Sequence, residues 1–330
     1  MSDGESTSGM GAAAGAAGLS PRTVVQLPIT RSLAELYVGN RVIAGLFEPF
    51  RGWGLCSRMV DVARVGSGGE ARAVHGLAEA GAEFPVGDGL FVLRFLASWP
   101  GLFRASFGGQ STEGAARLGS TLVLPDPFLG TGYTKYAAAA VPEYWMELAE
   151  FPIGTELWHM GEDGGEGYEQ ALARYAGVHS GWRSFPAARS VGLAPGGAAN
   201  APAGSVPRGV FVAVQGGSFP ADFGPGAGEL TAYRTAEDGS VLSRQLSDGD
   251  CEDVSYRRLL ATWRGVQFEA LAIGAETVTL AHITGNAQQA AELGLTPAGR
   301  HAWRAQVPKA EIEQLAEETR RIGVQAQFGG

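Results

Sequence analysis

The residues best equipped for chemistry in this 330-residue chain are two cysteines, Cys56 and Cys251, and five histidines, His75, His159, His179, His282 and His301. A cysteine nucleophile needs a thiolate, a base close to it and a group that orients the base. Cys56 sits in Arg51-Gly52-Trp53-Gly54-Leu55-Cys56-Ser57-Arg58 with His75 as its nearest histidine in sequence, and the pair is the first candidate centre for a hydrolase or transferase. Against it stands the common behaviour of a free cysteine as a small, inert core residue. Cys251 lies within Asp248-Gly249-Asp250-Cys251-Glu252-Asp253, where neighbouring acids oppose thiolate formation.

Metal chemistry would need ligands at helical or knuckle spacing, and neither His-x-x-x-His nor Cys-x-x-Cys occurs. His159 precedes Glu162, Asp163 and Glu166, oxygen donors that suit a hard cation, and is the second candidate centre. Asp248 to Asp253 is acidic like a calcium loop but lacks its alternation and its terminal glutamate. Both stretches read as solvated turns, and the expectation is a chain with no metal and no cofactor. Gly224-Pro225-Gly226-Ala227-Gly228 falls between two predicted strands, so it reads as a hairpin loop and not as a phosphate cradle ahead of a helix. Ser190 and Ser218 lack the Gly-x-Ser-x-Gly elbow of a serine hydrolase.

Aromatic side chains remain. Trp182, beside the turn Ser180-Gly181, has the placement of a peptide-docking residue, and Trp53 and Tyr175 join it as candidate partner contacts. Trp99 and Trp263 suit packing better.

The elements that position these residues begin at Val24-Val25-Gln26-Leu27, a strand, followed by a helix over Ser32 to Val38 in which Leu33, Leu36 and Tyr37 recur at helical spacing. Residues 1–24 are rich in Ser, Gly and Ala and read as a disordered tail, since ordering them would bury little. Ala194 to Ser205 reads as a Gly/Pro/Ala-rich linker.

Internal similarity sets the expected architecture. Val214-Gln215-Gly216-Gly217-Ser218-Phe219-Pro220-Ala221 aligns without a gap on Trp263-Arg264-Gly265-Val266-Gln267-Phe268-Glu269-Ala270, 49 positions later. A looser copy begins at Trp99-Pro100-Gly101-Leu102-Phe103-Arg104-Ala105 and reaches Thr121-Leu122-Val123-Leu124. Each unit reads as strand, glycine turn, strand, loop and strand. Val141-Pro142 and Val307-Pro308 close the outer copies, and a proline there suits the first turn of a helix, so helices are expected after Pro142 and over 308–322.

This strand-turn-strand plan around Gly101, Gly216 and Gly265, with the two Val-Pro ends, resembles the small SH3-like or Tudor-like β-barrel modules repeated in certain actinobacterial proteins, some of them in toxin and immunity loci. The resemblance covers about residues 90–322 and implies tandem barrels with a binding role. No catalytic residue carries over from it.

With 25 Lys and Arg against 34 Asp and Glu, the net charge of −9 argues against nucleic acid and favours a basic partner. No window offers the roughly 20 apolar residues of a membrane span, and the acidic start does not read as a secretion signal, so the cytoplasm is the expected compartment. The sequence therefore predicts a mainly β protein with short helices (α+β) in tandem barrel-like modules: a first module over 25–160, a connecting segment over 161–206, a second module over 207–255 and a third over 256–330 ending in a helix. The expected function is non-catalytic protein binding, as an immunity or accessory factor that neutralises or escorts its partner.

Overall fold

The computed structural model describes residues 22–40, 51–63, 65–77, 83–97, 102–104, 133–136, 139–196 and 208–322. Within these, β1 (Val24–Ile29) leads into α1 (Arg31–Gly39), and β2 (Arg51–Arg58) into α2 (Met59–Val62) and α3 (Gly68–Val74). There follow β3 (Leu90–Leu96), β4 (Leu102–Arg104), β5 (Tyr133–Tyr136), β6 (Ala139–Pro142), β7 (Tyr144–Glu150), β8 (Glu156–Met160), β9 (Glu169–Tyr175), β10 (Trp182–Ser184) and α4 (Ala187–Ser190). The C-terminal half holds β11 (Gly209–Val214), β12 (Gly217–Phe223), β13 (Glu229–Thr235), β14 (Val241–Ser247), β15 (Asp253–Trp263), β16 (Val266–Ile273), β17 (Thr277–His282), α5 (Ala287–Glu292), β18 (Thr296–Gly299), β19 (Ala302–Pro308) and β20 (Gln314–Arg321). The chain is mainly β with short helices.

Local rules account for the start. Thr30, extended at φ −71° and ψ 156°, accepts a hydrogen bond from the Leu33 amide and so caps α1. Asn40, left-handed at φ 49°, ends it with its amide bonded to the Leu36 and Tyr37 carbonyls. Leu33, Ala34, Tyr37 and Val38 form the buried stripe that the helical spacing predicts.

Pairing among the described strands is antiparallel and links all but β5 and β6 in one network. β1 pairs along one edge with β3, which continues through β8 and β9 to β10. Its other edge meets β2 near Val25 and β18 at Ile29. From β18 the ladder runs through β19, β17 and β16 to β15.

β15 is where the sheet forks. One of its edges pairs with β20 over Ser255–Thr262, while β11 pairs with it over Asp253–Arg257 and β16 over Leu260–Trp263. Beyond β11 the branch continues through β12 and β13 to β14. This continuous pairing does not confirm tandem barrels: among the described residues the sheet is not closed into separate modules, and the expected boundary at 255/256 falls inside β15.

The two aligned hairpins nonetheless share a turn. Gln215-Gly216 and Arg264-Gly265 are two-residue loops with φ of 52° and 74° and of 51° and 71°, closed by the pairs Val214↔Gly217 and Trp263↔Val266. Positive φ at both positions defines the turn whose twist matches that of the flanking strands. The first copy cannot be compared, because Trp99, Gly101, Ala105 and Thr121–Leu124 lie outside the described residues, as do residues 1–21 of the expected tail and 197–205 of the expected linker.

Both helices expected after proline are strands. Tyr144–Glu150 forms β7, held centrally between β2 and β4. Lys309–Glu311 makes one 3-10 turn, and Gln314–Arg321 then pairs with β15 over eight positions. The charges expected on an exposed helix serve this strand instead: Glu318 lies opposite Arg258 and pairs with it, and Arg320 reaches Glu147 at 2.7 Å. A helix here would leave that edge of β15 unpaired.

The principal core runs under β1, α1, β2, β7 and β11–β13, with a ring cluster of Tyr37, Phe151, Tyr175 and Trp182 at centroid separations of 5.3 to 6.3 Å. Two smaller cores lie under α3 and α5.

The left-handed turn can be tested in isolation. Gly216→Val should cost about 1–2 kcal/mol, the penalty for a side chain at positive φ, and Gln215→Asn should gain up to about 1 kcal/mol because asparagine tolerates that conformation. Urea denaturation measures both, and an unchanged midpoint for Gly216→Val would contradict the assignment.

Candidate functional site

Buried charge is concentrated at the fork. Arg51, at the start of β2, is fully buried; its guanidinium pairs with Glu269 of β16 and lies 3.9 Å from Glu150 of β7. The Tyr256 hydroxyl on β15 donates to Glu269 at 3.3 Å, and Tyr37 donates to the Arg51 carbonyl at 2.6 Å. Gly209 opens β11 at φ 107° directly against the Glu150 carboxylate, where a Cβ would collide with it, and the Val210 amide donates to Glu150 at 3.4 Å.

Glu269 is shared between Arg51 and Arg258, the latter at 3.9 Å, while Glu150 lies at the long end of its pair with Arg51. Burial pushes Glu150 up to about 8, Arg51 opposing and Asp222 reinforcing the shift, and burial also raises Glu269. Burial alone would lower Arg51, but Tyr256, Glu269 and Glu150 outweigh it and hold the guanidinium charged.

Asp222 of β12 forms the next layer. Fully buried, it accepts from the Tyr233 hydroxyl at 2.6 Å, the Tyr175 hydroxyl at 3.1 Å and the Val178 amide at 2.9 Å. Burial raises it to about 6 despite these donors. The His179 ring meets Tyr233 edge-on at 4.8 Å.

On the other face of the same strands lies an open groove of about 400 Å³. Directly opposite residues share a face, so the pairs Val212↔Phe219, Ala221↔Ala232, Ala232↔Arg244, Arg234↔Leu242 and Leu230↔Leu246 define one surface. Its end toward the fork is core: Val212, Ala221, Leu230 and Leu246 are buried. Its far end opens to solvent: half-buried Val214 and Phe219, packed against the core, and Leu242, 52% exposed, form an apolar floor beside the exposed Arg234 and Arg244.

The structure places the sequence-derived candidates elsewhere. Cys56 is buried in β2, its thiol pushed well up by desolvation and donating to the Tyr144 carbonyl at 3.3 Å. His75 is also buried but bonds to Gln26 at 2.9 Å, and burial, with Arg300 and Arg94 nearby, pushes it down to about 3. Gln26 lies opposite Ser57, the residue after Cys56, and successive strand residues face opposite ways. Cys56 and His75 therefore belong to opposite faces of β2.

His159 bonds to the Asp88 carbonyl at 2.8 Å, and Glu162 pairs with Arg72; among the described residues no group of three or more potential ligands forms. Cys251 is in no disulfide and donates its thiol to the Ser247 carbonyl at 3.7 Å, beside the turn in which Ser247 donates to Asp250. The proposed partner contacts Trp53, Tyr175 and Trp182 are corrected by burial: they are 2%, 0% and 3% exposed, and their ring surfaces are occupied by the core. Sequence reasoning passed over Arg234 and Arg244; the signal available was their alternation with Ala232, Leu242 and Leu246 on neighbouring strands.

The junction makes stability depend on pH. Unfolding returns Glu150 to its ordinary value near 4.5, so the folded chain holds the extra proton between that value and about 8. The stability that this proton contributes is complete below the unfolded value and is lost as pH rises through the folded one. Because other groups, Asp222 and His75 among them, titrate in the same window in both chains, the comparison is between the two: from pH 5 to pH 8 the unaltered chain should lose on the order of a few kcal/mol relative to Glu150→Gln in urea denaturation. An identical pH slope in the variant would contradict this.

No family model, curated protein or solved structure matches this chain.

Proposed function

We propose that this chain is a non-catalytic protein-binding protein, acting as an immunity or accessory factor toward a protein partner. The observation that carries this reading is the groove across β12–β14, where a surface that is core at one end continues into solvent with Leu242 and two arginines at its rim. Exposed apolar surface bordered by polar groups is typical of protein contact sites. The net charge of −9 would steer a basic partner from a distance, while Arg234 and Arg244 set a local positive field for the segment that seats in the groove. Cys56 and Cys251 are in no disulfide, which accords with a cytoplasmic setting, and no helix among the described residues is long and apolar enough to cross a membrane.

The test uses a partner recovered with the tagged chain from its native cells and reconstituted from pure components. Binding should occur at fixed stoichiometry, weaken by about tenfold or more in Leu242→Asp, equivalent to about 1.4 kcal/mol, and survive Cys56→Ala. A complex indifferent to Leu242→Asp, or a turnover lost in Cys56→Ala, would contradict the proposal.

A further inference from the structure

Resting on that protein-binding reading, we infer that β14 receives an added strand from the partner, and that this strand carries a carboxylate side chain with apolar side chains two positions before and after it.

The backbone argument comes from the hairpin that joins β13 to β14. The Ala236 amide donates to the Ser240 carbonyl at 2.8 Å, which makes that pair a hydrogen-bonded one. Hydrogen-bonded and non-hydrogen-bonded pairs alternate in an antiparallel ladder. Arg234↔Leu242, Ala232↔Arg244 and Leu230↔Leu246 are therefore bonded pairs, whereas Thr235↔Val241, Tyr233↔Ser243 and Thr231↔Gln245 are not. The same alternation holds one strand over, where the Gly224 amide donates to the Glu229 carbonyl at 2.8 Å. The main-chain N–H and C=O groups of Val241, Ser243 and Gln245 thus point away from β13, the strand with which β14 is registered among the described residues.

This open edge has a built limit. The Ser247 amide, next in the outward series, is taken by the Asp250 carboxylate at 2.8 Å. An added strand can use Val241 to Gln245 and no further, and Leu242 to Gln245 are exposed along that length.

Side-chain chemistry then specifies the occupant. On the groove face the added residues would stand opposite Leu242 and Arg244, with the residue just past the last backbone pair beside the buried Leu246, in the non-hydrogen-bonded positions where cross-strand side chains approach most closely. Arg234 is the diagonal neighbour of Arg244 on this face; the Asp250 carboxylate, which the Arg244 charge helps to lower, is already taken up by the Ser247 amide and hydroxyl. Two like charges side by side favour a carboxylate opposite Arg244, and the flanking leucines favour apolar groups on either side of it. The order apolar, any, acidic, any, apolar is the same read in either direction; the addition inferred is antiparallel, since only there do the residues opposite Leu242 and Arg244 turn their amides away from β14. A second copy of this chain fits less well, because self-pairing sets Arg244 against itself or against Leu242 and supplies no counter-charge in either register.

The probe is a capped seven-residue peptide with valine at its second and sixth positions, glutamate at its fourth and threonine elsewhere, titrated against the full chain by fluorescence anisotropy. It should bind about tenfold or more tightly than the same peptide with lysine at the fourth position, and Arg244→Glu should reverse the preference. Methylating the peptide amides at the third and fifth positions, which face β14, should abolish binding, whereas methylation at the fourth should not. No binding to the unaltered chain, equal binding of the glutamate and lysine peptides, indifference to methylation, or self-association that Arg244→Glu abolishes would each overturn the inference. If the peptide fails while Leu242→Asp still weakens the natural complex, strand addition falls and the protein-binding function stands.

Discussion

The Arg51 guanidinium, enclosed between Glu269 and Glu150, is the interaction on which the two halves of the molecule depend. Arg51 and Glu150 come from β2 and β7 in the N-terminal half, while Glu269 and Tyr256 come from β16 and β15. They meet where β15 passes from pairing with β11 to pairing with β16. At such a fork the diverging strands leave a wedge that a regular ladder cannot fill. A buried ion pair adds little net stability compared with an apolar filling, but removing one partner is costly because the other charge stays buried. The junction thus acts as a constraint on how the halves dock.

The constraint also explains the unequal ends of the β11–β14 branch. Near the fork its inner face is packed against the main core and Asp222 is satisfied by two tyrosines and an amide. Moving outward, the branch runs past the elements that cover it. β14 is its last strand, and its side chains from Leu242 to Gln245 are exposed. The groove is therefore a product of topology: a sheet anchored at one end by buried charge and unsupported at the other. Its apolar floor and its two arginines give that open end a chemical preference.

Much of the fold was legible in the sequence because it follows from local rules. Val24 to Leu27, the α1 stripe of Leu33 and Tyr37, and the loop around Gly224 each depend on near neighbours, and each stands as read. The shared turns at Gly216 and Gly265 were visible for the same reason, since only a narrow set of residues takes positive φ. What failed was decided at long range. Ile312 and Leu315 have helical spacing, yet the unpaired edge of β15 recruits that segment as a strand. Trp182 beside a turn looks like a docking residue until Tyr37 and Phe151 are seen to cover it. The Arg51–Glu269 pair spans 218 positions, and no spacing rule connects residues so far apart. The groove was illegible because its arginines acquire meaning only through the register of β12, β13 and β14.

The most direct test of this account is residue-resolved amide hydrogen exchange on the free chain. Because the outward groups of β14 alternate with bonded ones, the Ser243 and Gln245 amides should exchange rapidly, while Leu242 and Arg244 are protected and the Gly52 and Glu269 amides beside the buried junction exchange only with global unfolding. Uniform protection along β14, or rapid exchange at Gly52 and Glu269, would contradict a sheet held fast at its fork and open at its edge.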